Sequence, residues 1–497
     1  MPSNQTYQLE YVLQERVGAF GRWQRLQLTI LSLGLCFAWA MNLSFPFLAY
    51  SVPYSCGSSH NNTTKQQSEL VDFRVGRKRT LFASTVLYVI SSCAMSYSST
   101  YGLFCCLRML SALSCAAIFS SCFNLVFETT TRQFVCLVCA FHLLPRVCAY
   151  LLLSTMALLL SNWKTLLLVI SAPAFFISPL YIWLVPESPR WLAKRGKRAD
   201  AVRVLRRMAR FNQKDYHSTG SDINLEDDSY ASLEHTNEKV VQFCRDSTKN
   251  ALYFMCFFLL WVILAHAYYT VSYSISLLKG GLILSTALNG LVELLPVLIL
   301  INIQKRKRKR FLIIACTLTA FFALIGAPFS ADDYVVVLLV LLFAKISVTL
   351  AEATLAVITI ESFAGDLRTI ICLIMISLSS IGGVTASYSS ILFERNALAV
   401  FLMLGLCMVA AASAGFLLPE SCNSRCLNVR SKLATVEVPL RSLTQTFNEP
   451  ADEEKEEEDE ERKSQTSETK KSSSYSSVFA DDPKPVDPID PTVIVDC

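Results

Sequence analysis

Ionisable side chains inside apolar runs are costly, and a handful stand out. Arg108, Arg146, His266, Glu293, Lys345 and Glu352 each lie inside an apolar run long enough to cross a bilayer. A charge held in hydrocarbon must be paired or reserved for a solute. Arg146, mid-run beside Pro145, and Glu352, well inside its run, are the leading candidates for touching such a solute. Arg108 and Lys345 fall nearer the ends of their runs, where a long basic side chain can equally reach back to the headgroups. Glu293 opens the string Glu293-Leu294-Leu295-Pro296 and is read as structural. Covalent chemistry has no comparable support. The five histidines, His60, His142, His217, His235 and His266, are too scattered for a zinc site. Cys136 and Cys139 form a CxxC, but inside an apolar run, where cysteine packs as a small hydrophobe. No GxxxxGK[ST] string occurs, so any driving force is a gradient rather than a nucleotide. The sequence therefore predicts no enzyme, no cofactor and no metal.

The elements that must hold these groups are membrane spans. Of 497 residues, 53% are hydrophobic and only 17% charged, with a mean hydropathy of +0.40, against about 45–50% and about 25% in soluble domains. Runs at 26–50, 80–98, 102–126, 134–160, 163–185, 251–276, 282–303, 311–328, 334–358, 370–392 and 397–418 predict eleven helices, each about the length that spans roughly 30 Å of hydrocarbon. The fold class is all-α and polytopic, with no independent soluble core. Basic residues set the orientation. Arg77-Lys78-Arg79, the run from Lys305 to Arg310, and nine Lys or Arg against the single acid Asp200 between Arg190 and Arg210 all belong on the cytoplasmic side. Arg198 to Phe211, with Val202, Leu205 and Met208 among bases, predicts a short amphipathic helix lying on the membrane face or the bundle.

This yields a cytoplasmic N-terminus (1–25), a helical half (26–185), a central cytoplasmic loop (186–250), a second helical half (251–418) and a tail (419–497). The tail carries nine acids in ten residues from Asp452 to Glu461, then Ser- and Lys-rich sequence, and reads as disordered. It is a spacer, or a docking site for a cytoplasmic partner with phosphorylation between Ser472 and Ser477. The halves repeat. Pro186-Glu187-Ser188 recurs as Pro419-Glu420-Ser421, Glu128 maps to Glu361 and Arg77 to Arg310, each 233 residues apart. Shifting the run 282–303 back by 233 gives 49–70, which is polar, so one span of the first half is missing from the pattern. Duplicated helical bundles with a site between the halves are the architecture of secondary transporters.

The motifs resemble those of the major facilitator superfamily and, within it, the organic cation/anion transporters. Gly18-Ala19-Phe20-Gly21-Arg22-Trp23-Gln24 before the first run, Pro186-Glu187-Ser188-Pro189-Arg190-Trp191-Leu192, and Glu361 with Arg368 carry the resemblance, over about residues 10 to 421. It implies a two-half bundle of twelve spans moving a small organic ion or zwitterion by alternating access, a lipid-embedded protein of the plasma membrane without nucleic-acid partners. The proline-glutamate-serine motif is shared with sugar porters, which keeps a sugar carrier open, and a transport-inactive scaffold is the rival from another class. Arg74-Val75-Gly76-Arg77-Lys78 matches the family's cytoplasmic motif, but Phe73 stands at its aspartate and Asp72 is one place out of register. The resemblance implies a cytoplasmic gate of Arg77, Glu128, Arg132, Glu187, Arg190, Glu361 and Arg368. It also implies a central cavity lined by Trp261, Tyr268 and Tyr269, whose rings can stack on an organic cation. Ser380 stands at the charge-selecting position before Ile381-Gly382-Gly383, bearing neither an acid nor an arginine. Cation preference then rests on Glu352 and anion preference on Arg146 or Lys345. Asn61 and Asn62, in overlapping sequons, are candidate glycosylation sites in a remnant of the family's first extracellular loop.

Overall fold

Long uncharged runs leave the backbone no water to bond with, and the chain answers with helices. In the computed structural model the described residues are 12–44, 47, 76–131, 134–160, 162–214, 248–278, 281–302, 308–329, 333–363 and 365–418. A π-helical turn, Val12–Gly18, precedes α1 (Arg22–Leu43), α2 (Arg77–Ser96), α3 (Tyr101–Thr129), α4 (Val135–Leu159) and α5 (Trp163–Leu184). Two short helices follow, α6 (Pro189–Lys194) and α7 (Arg198–Phe211). The second half comprises α8 (Thr248–Leu277), α9 (Leu282–Val292), α10 (Leu294–Asn302), α11 (Arg308–Gly326), α12 (Tyr334–Ser362), α13 (Gly365–Arg395) and α14 (Ala397–Leu417).

Ten of the eleven predicted runs each overlap one helix, and the eleventh, 282–303, is divided between α9 and α10. Among the described residues nine spans are long and apolar enough to cross a membrane, α9 and α10 counting together as one. The two other long helices are more polar. α2 opens on Arg77-Lys78-Arg79 and carries Ser84, Ser91, Ser92 and Ser96, all buried against neighbouring helices. α13 carries Ser377, Ser379, Ser380, Thr385, Ser387, Ser389 and Ser390. Leu158, Leu159, Phe176, Trp183 and Leu406 stand outward on the surface, as lipid-facing side chains must. The duplication survives folding, since α3 and α12 both have 29 residues and their first residues, 101 and 334, differ by 233. The missing span falls on 49–70, outside the described residues, as do Asn61, Asn62 and Arg132.

Proline and glycine set the local exceptions. Pro296 lacks the N–H that would bond the Val292 carbonyl four residues back, and its ring crowds that carbonyl. The predicted span 282–303 accordingly breaks, α9 ending at Val292 and α10 starting at Leu294. Gly382 brings α13 against α8 backbone to backbone, because a Cβ there would lie 2.3 Å from the Val262 carbonyl oxygen.

Each half has its own core. Leu31, Leu35, Tyr88, Cys122, Leu167 and Tyr181 are among the residues filling the first, and Phe257, Leu264, Val271, Leu341, Val348 and Phe401 the second. A third cluster joins the halves: Val135, Cys136, Cys139 and Leu143 of α4 pack with Val297 and Leu300 of α10, Val357 and Ile360 of α12, and Cys372 of α13. α7 buries Leu205, Met208 and Ala209 against Val12, Leu13, Val17 and Trp23, so the amphipathic helix covers the bundle. Just past its end, the Asn212 Oδ1 accepts the Trp23 N–H at 2.8 Å, and its Nδ2 donates to the Val17 carbonyl at 2.8 Å.

Candidate functional site

Helical spacing gathers polar groups onto inward stripes. Arg146 and Tyr150 are one turn apart on α4, Tyr268 and Ser272 one turn apart on α8, and Lys345 and Glu352 two turns apart on α12, so each pair shares a face. Glu293 sits at the break that Pro296 imposes, facing the same centre.

These groups form one buried network across the two halves. Arg146 Nε donates to Glu293 Oε2 at 2.8 Å and its Nη1 to Glu352 Oε2 at 3.1 Å. Lys345 Nζ lies 3.0 Å from Glu293 Oε1. The Tyr268 hydroxyl donates to Glu293 Oε1 at 2.7 Å and lies 3.4 Å from the Tyr150 hydroxyl. The Tyr268 ring also takes both cations, with Lys345 Nζ 3.4 Å and the Arg146 guanidinium carbon 4.3 Å from its centroid, a cation–π arrangement that desolvation strengthens. Lys345 Nζ donates further to the Ser272 hydroxyl. Two cations and two carboxylates balance, as groups out of water require. One reading changes: Lys345 does not snorkel, since it lies mid-helix and wholly buried. Glu293, read as structural, is the carboxylate on which Arg146, Lys345 and Tyr268 converge.

Of the remaining candidates, Tyr269 touches this centre. Tyr269 packs edge-on to Tyr268 at 5.2 Å between centroids and stacks on Tyr273 at 5.9 Å. The Trp261 indole N–H donates to Thr359 Oγ1 at 3.2 Å, tying α8 to α12. Ser380 is half-buried on α13, two residues before Gly382. Arg108 and His266 tie helices together: Arg108 Nη1 donates to Ser44 Oγ at 3.4 Å, and His266 Nδ1 lies 2.9 Å from Thr385 Oγ1. Among the described residues no group of His, Cys, Asp and Glu could hold a metal ion.

At the end carrying the basic clusters, each half pairs a helix-opening arginine with a helix-closing glutamate. Arg77 Nη2 of α2 lies 2.9 Å from Glu128 Oε1 of α3, both buried. In the second half the partner of Glu361 is Arg308, not Arg310 as the repeat implied, and the offset of this pair is 308 − 77 = 231. Arg308 also lies beside Cys136 of α4, reaching from the second half to the first. Glu187 Oε1 accepts the backbone N–H groups of Lys78 and Ser188 at 3.2 and 3.3 Å. Burial pushes its carboxyl above the usual range, and those amides and Arg77 offset part of the rise. Gly76 makes this contact possible. Its φ of +110° suits only glycine, and a Cβ would meet Glu187 Oε2 at 2.7 Å. Arg190 is half-buried on α6, whose first turn is capped by Ser188 Oγ accepting the Trp191 N–H at 3.2 Å. The Arg368 side chain lies outside the described residues.

Known proteins place this architecture. The family model of the Major Facilitator Superfamily matches residues 68–387, and the chain belongs to that superfamily. It is a multi-pass membrane protein. Among its relatives, mouse solute carrier family 22 member 4 is 25% identical over 355 residues, covering 70% of this chain and 63% of that protein. Human solute carrier family 22 member 2 is 25% identical over 356 residues, covering 70% and 62%. A Drosophila melanogaster organic cation transporter-like protein is 21% identical over 373 residues, covering 70% and 64%. The chain thus matches a little under two thirds of the length of these relatives. Among solved structures, the proton:xylose symporter XylE bound to 6-bromo-6-deoxy-D-glucose superposes with a TM-score of 0.62 at 16% identity, over 80% of this chain and 96% of that one. The inward-open xylose transporter XylE from E. coli gives 0.56 at 16% identity, over 81% and 97%. Both share its fold.

Proposed function

We propose that the chain is a secondary transporter moving small organic ions or zwitterions across the plasma membrane by alternating access. The observation that carries this reading is the buried network joining Arg146 of the first half to Glu293, Lys345 and Glu352 of the second. Buried charges are costly to keep and are retained where a solute or a moving interface uses them. The halves 26–185 and 251–418 rock about this centre. Arg77, Glu128, Arg132, Glu187, Arg190, Glu361 and Arg368 close the cytoplasmic side, and Trp261, Tyr268, Tyr269 and Ser380 border the solute with the charged cluster. The solute carriers named above are what this reading leans on among relatives. Asn61 and Asn62 carry glycans, and the acidic tail docks a cytoplasmic partner.

Uptake is the test. Cells displaying the chain at their surface, supplied with labelled organic cations, anions, zwitterions and hexoses, are expected to accumulate at least one organic ion, and Arg146→Ala to abolish it. Surface-located protein with no uptake across the panel would give the scaffold reading precedence, and hexose uptake alone would make it a sugar carrier.

A further inference from the structure

The four charges at the centre are not equivalent. The side chains of Arg146, Glu293 and Lys345 are 3%, 0% and 0% exposed, a fixed buried group whose charges sum to +1. Glu352 supplies the balancing charge, and its side chain is 24% exposed. Arg146 is also incompletely used. Its Nε and Nη1 are bonded, while Nη2 is buried with no hydrogen-bond acceptor among the described residues. A guanidinium offers a planar fork matched to a carboxylate held by two nitrogens. Glu352, tethered to α12, engages only one of them. A free carboxylate in its place would reach Nη1 and Nη2 together and keep the centre neutral.

We propose that Glu352 is a tethered counter-ion which an anionic group of the solute displaces from Arg146, and which returns to Arg146 once the solute leaves. This rests on the transport reading above and extends it. The solute carries a carboxylate or an equivalent anion. The empty carrier is neutral at the interface between α4 and α12, so it reorients unloaded and supports net flux rather than one-for-one exchange. Without the Glu352 charge, the buried group keeps its surplus of +1 until an anion binds, and an uncompensated buried charge resists the dehydrated crossing.

The full chain, purified and reconstituted in proteoliposomes, tests this with benzoate and benzylammonium, which share ring and size but differ in charge. Benzoate is expected to raise the thermal unfolding temperature of the wild type, and benzylammonium to leave it unchanged. Glu352→Gln is expected to bind benzoate about tenfold more tightly. Its net benzoate uptake should fall while exchange against internal benzoate persists. Glu352→Asp, shorter but still charged, should lie between the two and carries the same comparison where the glutamine variant does not fold. Weaker benzoate binding in Glu352→Gln, loss of benzylammonium binding in its place, or no benzoate shift in any form overturns the proposal. Binding is read without transport, so a wild type that binds benzoate and moves nothing sinks the transport reading while supporting the counter-ion.

Discussion

Arg146 owes its position to partners that lie on another part of the chain. Glu293 and Glu352 follow it by 147 and 206 residues, so neither pair can form until both halves are folded. Replacing it with an apolar residue leaves two carboxylates facing a single lysine. Arg146→Met is expected to cost about 3–5 kcal/mol, the range for breaking a buried ion pair from one side. Adding Glu293→Gln should recover part of that loss. Chemical denaturation in detergent with a tryptophan readout measures both, and equal stability of the single and double variants would refute the coupling. Glu187 adds a pH dependence of its own. Its carboxyl titrates above the ordinary value of 4.5 in the folded chain, so the folded state binds more protons than the unfolded one, and stability falls as pH rises from that value through the raised one. Melting temperatures across this window should decline less steeply in Glu187→Gln than in the wild type. At this scale the sequence exposed the cost of each buried charge but not the pairing. Lys345 read as a span-end residue although it stands at the middle of its run 334–358, and Glu293 read as structural because the string Glu293-Leu294-Leu295-Pro296 is similar to a family motif. The spacings of Tyr150 from Arg146 and Ser272 from Tyr268 were the available signals for the members that were missed.

The helices themselves were legible. Runs without charge admit no other backbone inside hydrocarbon, and the break between α9 and α10 follows from Pro296. What joins them was less visible. Asn212 crosses 189 residues of sequence to accept the Trp23 N–H, a tertiary bond standing in for a local helix cap, and no local pattern announces it. Asn212→Ala is expected to destabilise by about 1–2 kcal/mol through the unsatisfied donor and the lost packing of α7 on α1. Limited proteolysis after Phe211 should quicken in step, and an unchanged cleavage rate would argue that α7 is held by its apolar face alone. Gly76→Ala meets two obstacles, a strained backbone and the Glu187 carboxylate, and should cost about 1–3 kcal/mol. The same substitution at Gly102, where a Cβ meets nothing within 4 Å, serves as the control in the same unfolding assay.

Across the molecule, the 233-residue offset announced two halves, and α3 and α12 keep it at both ends. It failed at the second arginine–glutamate pair because Arg308 belongs to the six-residue basic run from Lys305 to Arg310, longer than Arg77-Lys78-Arg79 in the first half, so register there depends on the fold. The cluster holding Cys139 and Cys372 between the halves gives a global readout. Both thiols are buried, and a rocking motion that parts the paired ends must expose them. Maleimide labelling of Cys139, located by peptide mass spectrometry, should be slow in the wild type and several-fold faster in Arg308→Ala, which removes the Arg308–Glu361 ion pair and loosens that end. Equal labelling would mean that the pair does not hold the interface shut.

The contact at Gly382 reaches furthest. α8 and α13 have 30 and 31 residues, each about 45 Å long at 1.5 Å per residue, against roughly 30 Å of hydrocarbon. Helices that long accommodate the bilayer by tilting or by projecting from it. With the Val262 carbonyl set against Gly382 and His266 bonded to Thr385, neither can lean without the other. Lipid acyl-chain length would therefore bear on the pair as a single lever, and because Tyr268 rides on α8, membrane thickness becomes an input to the charged centre.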